Sequence, residues 1–257
     1  MKTIALHYPG HLTSFALSSS DRDQILAGVE YNSGFYEPHI MNVLTHIVKP
    51  DWVCLDIGAN IGAISLAMSF LASGGGAVFA FEPSSENFQY LSMNVRQNKA
   101  GNIIPLKLGV YEENKRMAFS FIDFGGGWSH LTTEYAERGI QETVTCVKLD
   151  DWAVERGLRR LDLIKLDVEG AEVPALKGAE GIIRGFRPDL IVEFNPGAQQ
   201  TIFHEDPSLL YRKLQELYPS LYIIDFNYTV VQLHSYEQLM SYFRDGREVV
   251  DLYGTYK

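Results

Sequence analysis

The chain of 257 residues is 46% hydrophobic, which supplies one sizeable core, and its formal net charge of −10 argues against nucleic-acid backbones and anionic membranes as partners. No apolar run approaches the ~18 residues of a membrane span, and MKTIALHYPGHL is interrupted by His7, Tyr8 and Pro9 too early for a signal peptide, so a cytoplasmic protein is expected. Cys54 and Cys146 sit in apolar runs without metal-ligand spacing and read as buried free thiols of a reducing compartment.

Residues 1–36 read as irregular, with HYPGH, SSSDRD and YNSG as loop signals. EPHIMNVLTHIVKP then places Ile40, Val43, Leu44 and Ile47 on one helical face, between Pro38 in the first turn and Pro50 beyond the end. From there strands and helices alternate. WVCLDIG is an apolar strand, AISLAMSFLA a helix, AVFAFEP the second strand, and SSENFQYLSMNVRQN a helix with serine at its start. NIIPLKLGV is the third strand, although Pro105 suits a central strand poorly. Residues 111–150 break the pattern: RMAFSFIDF and ETVTCVKL read as strands of a hairpin-like insertion. LDLIKLDVEG is a buried strand, VPALKGAEGIIRG a helix, and DLIVEFNPG the fifth strand of the alternation. DPSLLYRKLQELYP is a helix opened by Asp206 and Pro207, SYEQLMSYF a short helix with a Ser235–Gln238 capping box, and LYIIDFN and EVVDLYGTYK are closing strands.

Nearly all-apolar strands interleaved with helices imply a parallel sheet covered on both faces, with ligands beyond the strands' carboxyl ends. That places chemistry at Asp56–Gly62, Glu82–Ser84, Gly109–Tyr111, Asp167–Gly170 and Glu193–Gly197. The first of these turns, DIGANIG, lacks the middle glycine of the dinucleotide pattern GxGxxG, and Asp56 stands directly before it. A carboxylate there repels a pyrophosphate and suits a cation. S-adenosylmethionine carries a sulfonium and an amine and no phosphate, so it is favoured over NAD. Glu82, at the end of the next strand, is placed to accept ribose hydroxyls of either cofactor.

Together LDIGANIG, FEPSSENF, VKLDDW, DLIKLDVEGAE and IVEFN, with YEPHI upstream, resemble the FkbM-type methyltransferases, a class I S-adenosylmethionine-dependent family, over roughly residues 30–200. The resemblance implies a Rossmann-like α/β fold: a mostly parallel seven-stranded sheet with an antiparallel last strand, helices on both faces and a β-hairpin insertion. It implies a methyltransferase domain over 51–257, carrying the 111–150 insertion, behind an N-terminal cap and lead-in helix over 1–50. Asp56, Gly58, Ala59, Asn60 and Gly62 are then the methionine end of the cofactor site, with Glu37 of YEPHI beside them. Glu82 is the ribose acceptor, Pro83 and Ser84 lie near the adenosine, and Val110 faces the adenine. Members of the family methylate hydroxyls of macrolides and sugars, which implies O-methylation of a small-molecule or glycoside acceptor.

Methyl transfer from a sulfonium is an in-line displacement that gains from alignment and from a proton acceptor. Lys165, Asp167 and Glu169 share a face if the strand persists that far, and Glu193 and Asn195 share the neighbouring one. Asp167, Glu193, Lys165 and His130 are the catalytic candidates, with His39 as a further base to test. Asp167, Glu193 and Asn195 resemble the divalent-metal site of catechol-type O-methyltransferases, which leaves Mg²⁺ open as a second bound ion. Lys165, alone in an apolar strand, is expected to pair with Asp167 or Glu193. GGGWSHL reads either as a ligand contact through Trp128 or as a tight hairpin end. A nucleotide-dependent oxidoreductase and a methyltransferase-like binding module without activity are the alternative functions, and a homo-oligomer stays open.

Overall fold

In KTIALH every second residue turns inward, SFALSS is buried from Leu17 to Ser19, and the two segments pair antiparallel as β1 (Lys2–His7) and β2 (Ser14–Ser19), with Ile4 opposite Leu17 and Leu6 opposite Phe15. Helix α1 (Gln24–Tyr31) follows, capped by Asp23, whose carboxylate accepts the N–H groups of Ile25 and Leu26. The first 36 residues are therefore ordered, which corrects the irregular reading. The structure, a computed structural model, describes residues 1–121, 130–132 and 140–257; Trp128 and the rest of GGGWS lie outside the described residues.

Chain order continues with α2 (Pro38–Ile47), β3 (Val53–Ile57), α3 (Ala63–Leu71), β4 (Ala77–Phe81), α4 (Ser85–Gln97), β5 (Ile103–Leu106), β6 (Gly109–Val110), β7 (Lys115–Phe121), β8 (His130–Thr132) and β9 (Ile140–Val147). Then come α5 (Leu149–Arg156), β10 (Leu163–Leu166), α6 (Glu172–Gly178), α7 (Glu180–Phe186), β11 (Asp189–Phe194), α8 (Pro196–Ile202), α9 (Ser208–Leu217), β12 (Ser220–Ile224), β13 (Val230–Gln232), α10 (Tyr236–Ser241) and β14 (Val250–Thr255). The main sheet has the order β13-β12-β14-β11-β10-β3-β4-β5. Strands β5, β4, β3, β10 and β11 run parallel, and β14 is antiparallel to both of its neighbours, as the resemblance implied. The short β13 makes eight strands rather than seven. Pro105 is accommodated because β5 is the edge strand. The expected third strand ends at Leu106, and β6 leaves it to pair with β9 in a second sheet of order β6-β9-β7-β8. The helix expected over 173–185 is two short helices, α6 and α7.

Strand periodicity sorts the core into two layers. Leu55, Ile57, Phe79, Phe81, Ile164, Leu166 and Val192 pack on one face with Leu149 and Trp152 of α5, Leu176 of α6 and Leu214 of α9. Cys54, Val78, Ala80, Leu163 and Ile191 pack on the other with Leu44 of α2, Leu66 of α3 and Leu17 of the N-terminal hairpin. The hairpin is fastened by amide side chains of α4 in place of a third strand: Asn98 and Asn94 accept the N–H groups of Ala16 and Ser18 at 2.8 and 2.9 Å, and Gln97 donates to the Ala16 carbonyl. Both cysteines are buried free thiols. Among the described residues no helix is long and apolar enough to cross a membrane.

Candidate functional site

Residues of β3, β10 and β11 that point to the second layer are apolar at the start of each strand and charged at its end. Two residues beyond Cys54, Leu163 and Ile191 come Asp56, Lys165 and Glu193. Asp56 and Lys165 are register partners across β3 and β10, and Glu193 is opposite Asp251 of β14. The parallel strands therefore deliver their charges to one end of one face.

The DIGANIG turn closes this end. Gly58 has φ +82°, and a Cβ there would lie 1.7 Å from the carbonyl oxygen of Asp167. What needs the glycine is thus the neighbouring strand's backbone. Gly62, also left-handed, caps α3. Asp56 is buried and accepts a hydrogen bond from the Ser65 hydroxyl; burial raises its pKa, against the opposing pull of Lys165 and Ser65. Glu82 accepts the N–H of Asn60 at 2.9 Å on one oxygen and that of Ser84 at 2.8 Å on the other. The Asn87 side chain gives the carboxylate a third hydrogen bond. Burial pushes the Glu82 carboxyl up to about 7 even so.

Lys165 is buried and donates to Asp167 at 2.5 Å, one of the two pairings the sequence suggested. Burial disfavours its ammonium, but Asp167, Glu37 and Asp56 outweigh that and hold its pKa well above the ordinary value. Around this one cation the carboxyls of Glu37, Glu169 and Glu193 are pushed up, by burial first and by each other's charge or that of Asp167: Glu37 to about 7, Glu169 to about 9, Glu193 well above the ordinary range. Glu37 and Glu169 reach the cluster from left-handed backbone, at φ 39° and 51°. Such strain persists where the surroundings over-determine it, commonly at functional sites. Oε2 of Glu37 and Oε2 of Glu193 are buried without a hydrogen-bond partner among the described residues. The fully buried Glu172 shapes the 167–170 turn by accepting the N–H groups of Val168 and Gly170.

The charged residues Glu37, Asp56, Glu82, Lys165, Asp167, Glu169 and Glu193 line a cleft of about 1020 Å³, its open mouth included. Of the expected cofactor residues, Glu37, Asp56, Gly58, Ala59, Asn60, Glu82, Pro83, Val110 and Asp167 line it. Gly62 and Ser84 do not: they act locally as helix caps, Ser84 accepting the N–H of Asn87. Sequence reasoning missed Tyr36, Asn87 and Phe119 on the wall; Asn87 and Phe119 sit within one turn or strand of named motifs, the signal that could have found them. His39 is committed elsewhere, bonded to Asp251 at 2.9 Å in a buried pair. His130 and Asn195 line a neighbouring cavity. The Asn195 amide oxygen accepts the N–H of Ala198 as the cap of α8, while Asp167, Glu169 and Glu193 bring carboxylate oxygens within 4.8 Å of one another. The third member of the acid group is thus Glu169, which the expected metal set did not include.

Comparison with known proteins gives a consistent picture. The profile of the Methyltransferase FkbM domain matches residues 56–241. The hexuronic acid methyltransferase AglP of Haloferax volcanii is 26% identical over 161 residues, 63% of this chain and 63% of the relative. The 31-O-demethyl-FK506 methyltransferase FkbM of Streptomyces tacrolimicus is 28% identical over 160 residues, 52% of this chain and 61% of the relative. The match thus spans under two thirds of the length of these relatives. A crystal structure of a methyltransferase FkbM from Methylobacillus flagellatus superposes with a TM-score of 0.51 at 21% identity, over 80% of this chain and 44% of that one, a likeness of fold.

Proposed function

The chain belongs to the Methyltransferase FkbM domain family, and from that premise we propose that it transfers a methyl group from S-adenosyl-L-methionine to a hydroxyl oxygen of a sugar or natural-product acceptor. The observation that carries the reading is the charge of the cleft. Glu37, Asp56, Glu82, Asp167, Glu169 and Glu193 line it, and Lys165 is the one cation among the described lining residues, already paired with Asp167. A pyrophosphate finds no free cation there, whereas a sulfonium and an ammonium supply the charge that the carboxylates lack. This weighs against a NAD-dependent oxidoreductase on the same fold.

The residues fit the cofactor. The buried Glu37 Oε2 has no hydrogen-bond partner among the described residues and suits the amine. Glu82, fixed by two backbone N–H groups and the Asn87 side chain, offers its remaining acceptor capacity to a ribose hydroxyl. Val110 and Gly109 offer an apolar wall to the adenine. When bound, the cofactor supplies an electrophilic methyl. The chain's part is to align the acceptor and to receive the hydroxyl proton at the Asp167–Glu169–Glu193 group, contributions of about 10²–10⁴-fold for the base alone. Mg²⁺ has no part in this proposal, because Lys165 already neutralises Asp167 and Asn195 is spent on the α8 cap. Calorimetric titration with S-adenosylmethionine and with NAD tests the reading. Binding of the former alone is expected; NAD binding without an S-adenosylmethionine signal would overturn it.

A further inference from the structure

The cofactor cleft does not end blindly. Beyond it, the β11–α8 turn, helix α8 and the segment leading into β14 enclose a second cavity of about 1520 Å³, its open mouth included. Glu169 and Glu193 line both spaces and so form their common wall. A molecule in the second cavity meets the first at these two carboxylates.

Most of the second cavity is apolar, with Pro196, Ile202, Phe243 and Val249 on its lining. Such surfaces pack against the C–H faces of rings. Its charge is unbalanced. Among the described lining residues, Glu169, Glu193 and Glu248 face it with one permanent cation, Arg247, and one imidazole, His130. That cation is engaged: it donates to Asp225 at 3.1 Å, and its guanidinium lies over the rings of Phe226 and Tyr242, 4.8 and 5.5 Å from their centroids. At the common wall, Glu193 Oε2 is buried without a partner among the described residues and calls for a donor. Asp167, by contrast, already receives a hydrogen bond from Lys165.

From these features we infer that the second cavity is the acceptor site and that it selects an uncharged ring whose hydroxyl donates to Glu193, over an anionic ring of the same shape. The inference rests on the methyl-transfer reading above. A carboxylate-bearing ring would have to bury its charge in a largely apolar cavity whose arginine is already engaged by Asp225 and two aromatic rings. In the reaction, the acceptor's hydroxyl oxygen forms the new bond to the methyl carbon, the C–S bonding pair stays with sulfur as a neutral thioether, and Glu193 takes the hydroxyl proton. Charge balances: a sulfonium and a carboxylate become a thioether and a carboxylic acid.

The test uses 4-nitrophenyl β-D-glucopyranoside and 4-nitrophenyl β-D-glucuronide, which share ring and aglycone and differ in charge. Their binding to the full chain is measured by saturation-transfer NMR in the presence of S-adenosylhomocysteine, whose own affinity is measured by calorimetry. The glucoside should bind at least tenfold more tightly than the glucuronide. Thr201→Trp, on an exposed position of α8 that lines the cavity, should weaken the glucoside at least tenfold and leave S-adenosylhomocysteine affinity within twofold. Phe243→Ala probes the same wall by removal and should weaken the glucoside at least threefold. Glucuronide binding as tight as the glucoside, glucoside binding unchanged in both variants, or no glucoside binding to a protein that holds S-adenosylhomocysteine would each overturn the assignment. A chain that binds neither S-adenosylmethionine nor S-adenosylhomocysteine would instead sink the methyl-transfer reading on which it stands.

Discussion

Replacing Gly58 by alanine tests whether the DIGANIG turn is built around the end of β10. The new Cβ would lie 1.7 Å from the Asp167 carbonyl oxygen and 2.9 Å from its carbon, both backbone atoms that no rotamer change can move. Two costs add. Holding a non-glycine residue at left-handed φ costs about 1–2 kcal/mol. Relieving the clash means parting β3 from β10 where Ile57 pairs with Leu166, an overpacking penalty of about 1–3 kcal/mol. The sum, about 2–5 kcal/mol, corresponds to a fall in Tm of roughly 4–20 °C at this chain length. Gly157→Ala is the matched control: φ is +67° there and nothing lies within 4 Å of the added Cβ. It should cost only the backbone share, about 1–2 kcal/mol. Urea denaturation of both variants gives the energies, and calorimetry with S-adenosylmethionine gives the functional readout. Gly58→Ala should lose at least tenfold in affinity because Asp167 is displaced, whereas Gly157→Ala should not. Equal destabilisation of the two, with affinity intact in both, would show that the turn's shape and not the approach of β10 demands the glycine.

Two further predictions concern the buried charges. Lys165→Met leaves Asp167 and its neighbours without their cation; breaking a buried pair costs about 3–5 kcal/mol, and the loss should be smaller at pH 5 than at pH 8, because the stranded carboxyls protonate. Denaturation at both pH values checks this, and an equal loss would refute it. The Glu82 carboxyl is raised from 4.5 to about 7 in the folded chain, so between those values the native state holds a proton that the unfolded state has released. The resulting stability, roughly 3 kcal/mol, is fully present below about 4.5 and lost as pH rises through 7. Melting curves without ligand should therefore fall between pH 5 and 8, and less steeply for Glu82→Gln; identical slopes would rule this out.

The site was legible in the sequence as far as strand periodicity reaches, and no further. Asp56, Lys165 and Glu193 were found because each is the last in-facing residue of an apolar strand, and neighbouring strands share a register. Asn195 was placed beside Glu193 by the same alternation, but β11 ends at Phe194, and one residue later the amide turns to cap α8. Glu169 was placed with Lys165 and Asp167 on condition that the strand persisted, and it joins them by another route. Strand β10 stops at Leu166, and Glu169 arrives through a left-handed turn that Glu172 holds from below. The N-terminal hairpin was illegible for a different reason. Strand β1 is largely exposed, and the groups that satisfy β2 are amides of α4 and its C-cap some 80 residues away, which no local pattern announces.

What periodicity does predict is an electrostatic imbalance, and the proposed function rests on it. A parallel sheet aligns the strand ends, so one charged residue per strand becomes a cluster; here the described lining holds acids at six positions and one lysine. The fold can bury such a set only by keeping several carboxyls protonated, which is what burial does to Glu37, Glu82 and Glu169. A cationic ligand relieves the same constraint by supplying positive charge. It lets those carboxyls ionise, and the ionised group at the common wall is then able to accept a proton. On this argument the binding of the methyl donor and the readiness of the base are one event. Binding should therefore release protons near pH 7, more for S-adenosylmethionine than for the uncharged thioether of S-adenosylhomocysteine. Calorimetry in buffers of different ionisation enthalpy counts them, and equal proton release for the two ligands would separate the base from the sulfonium and break the argument.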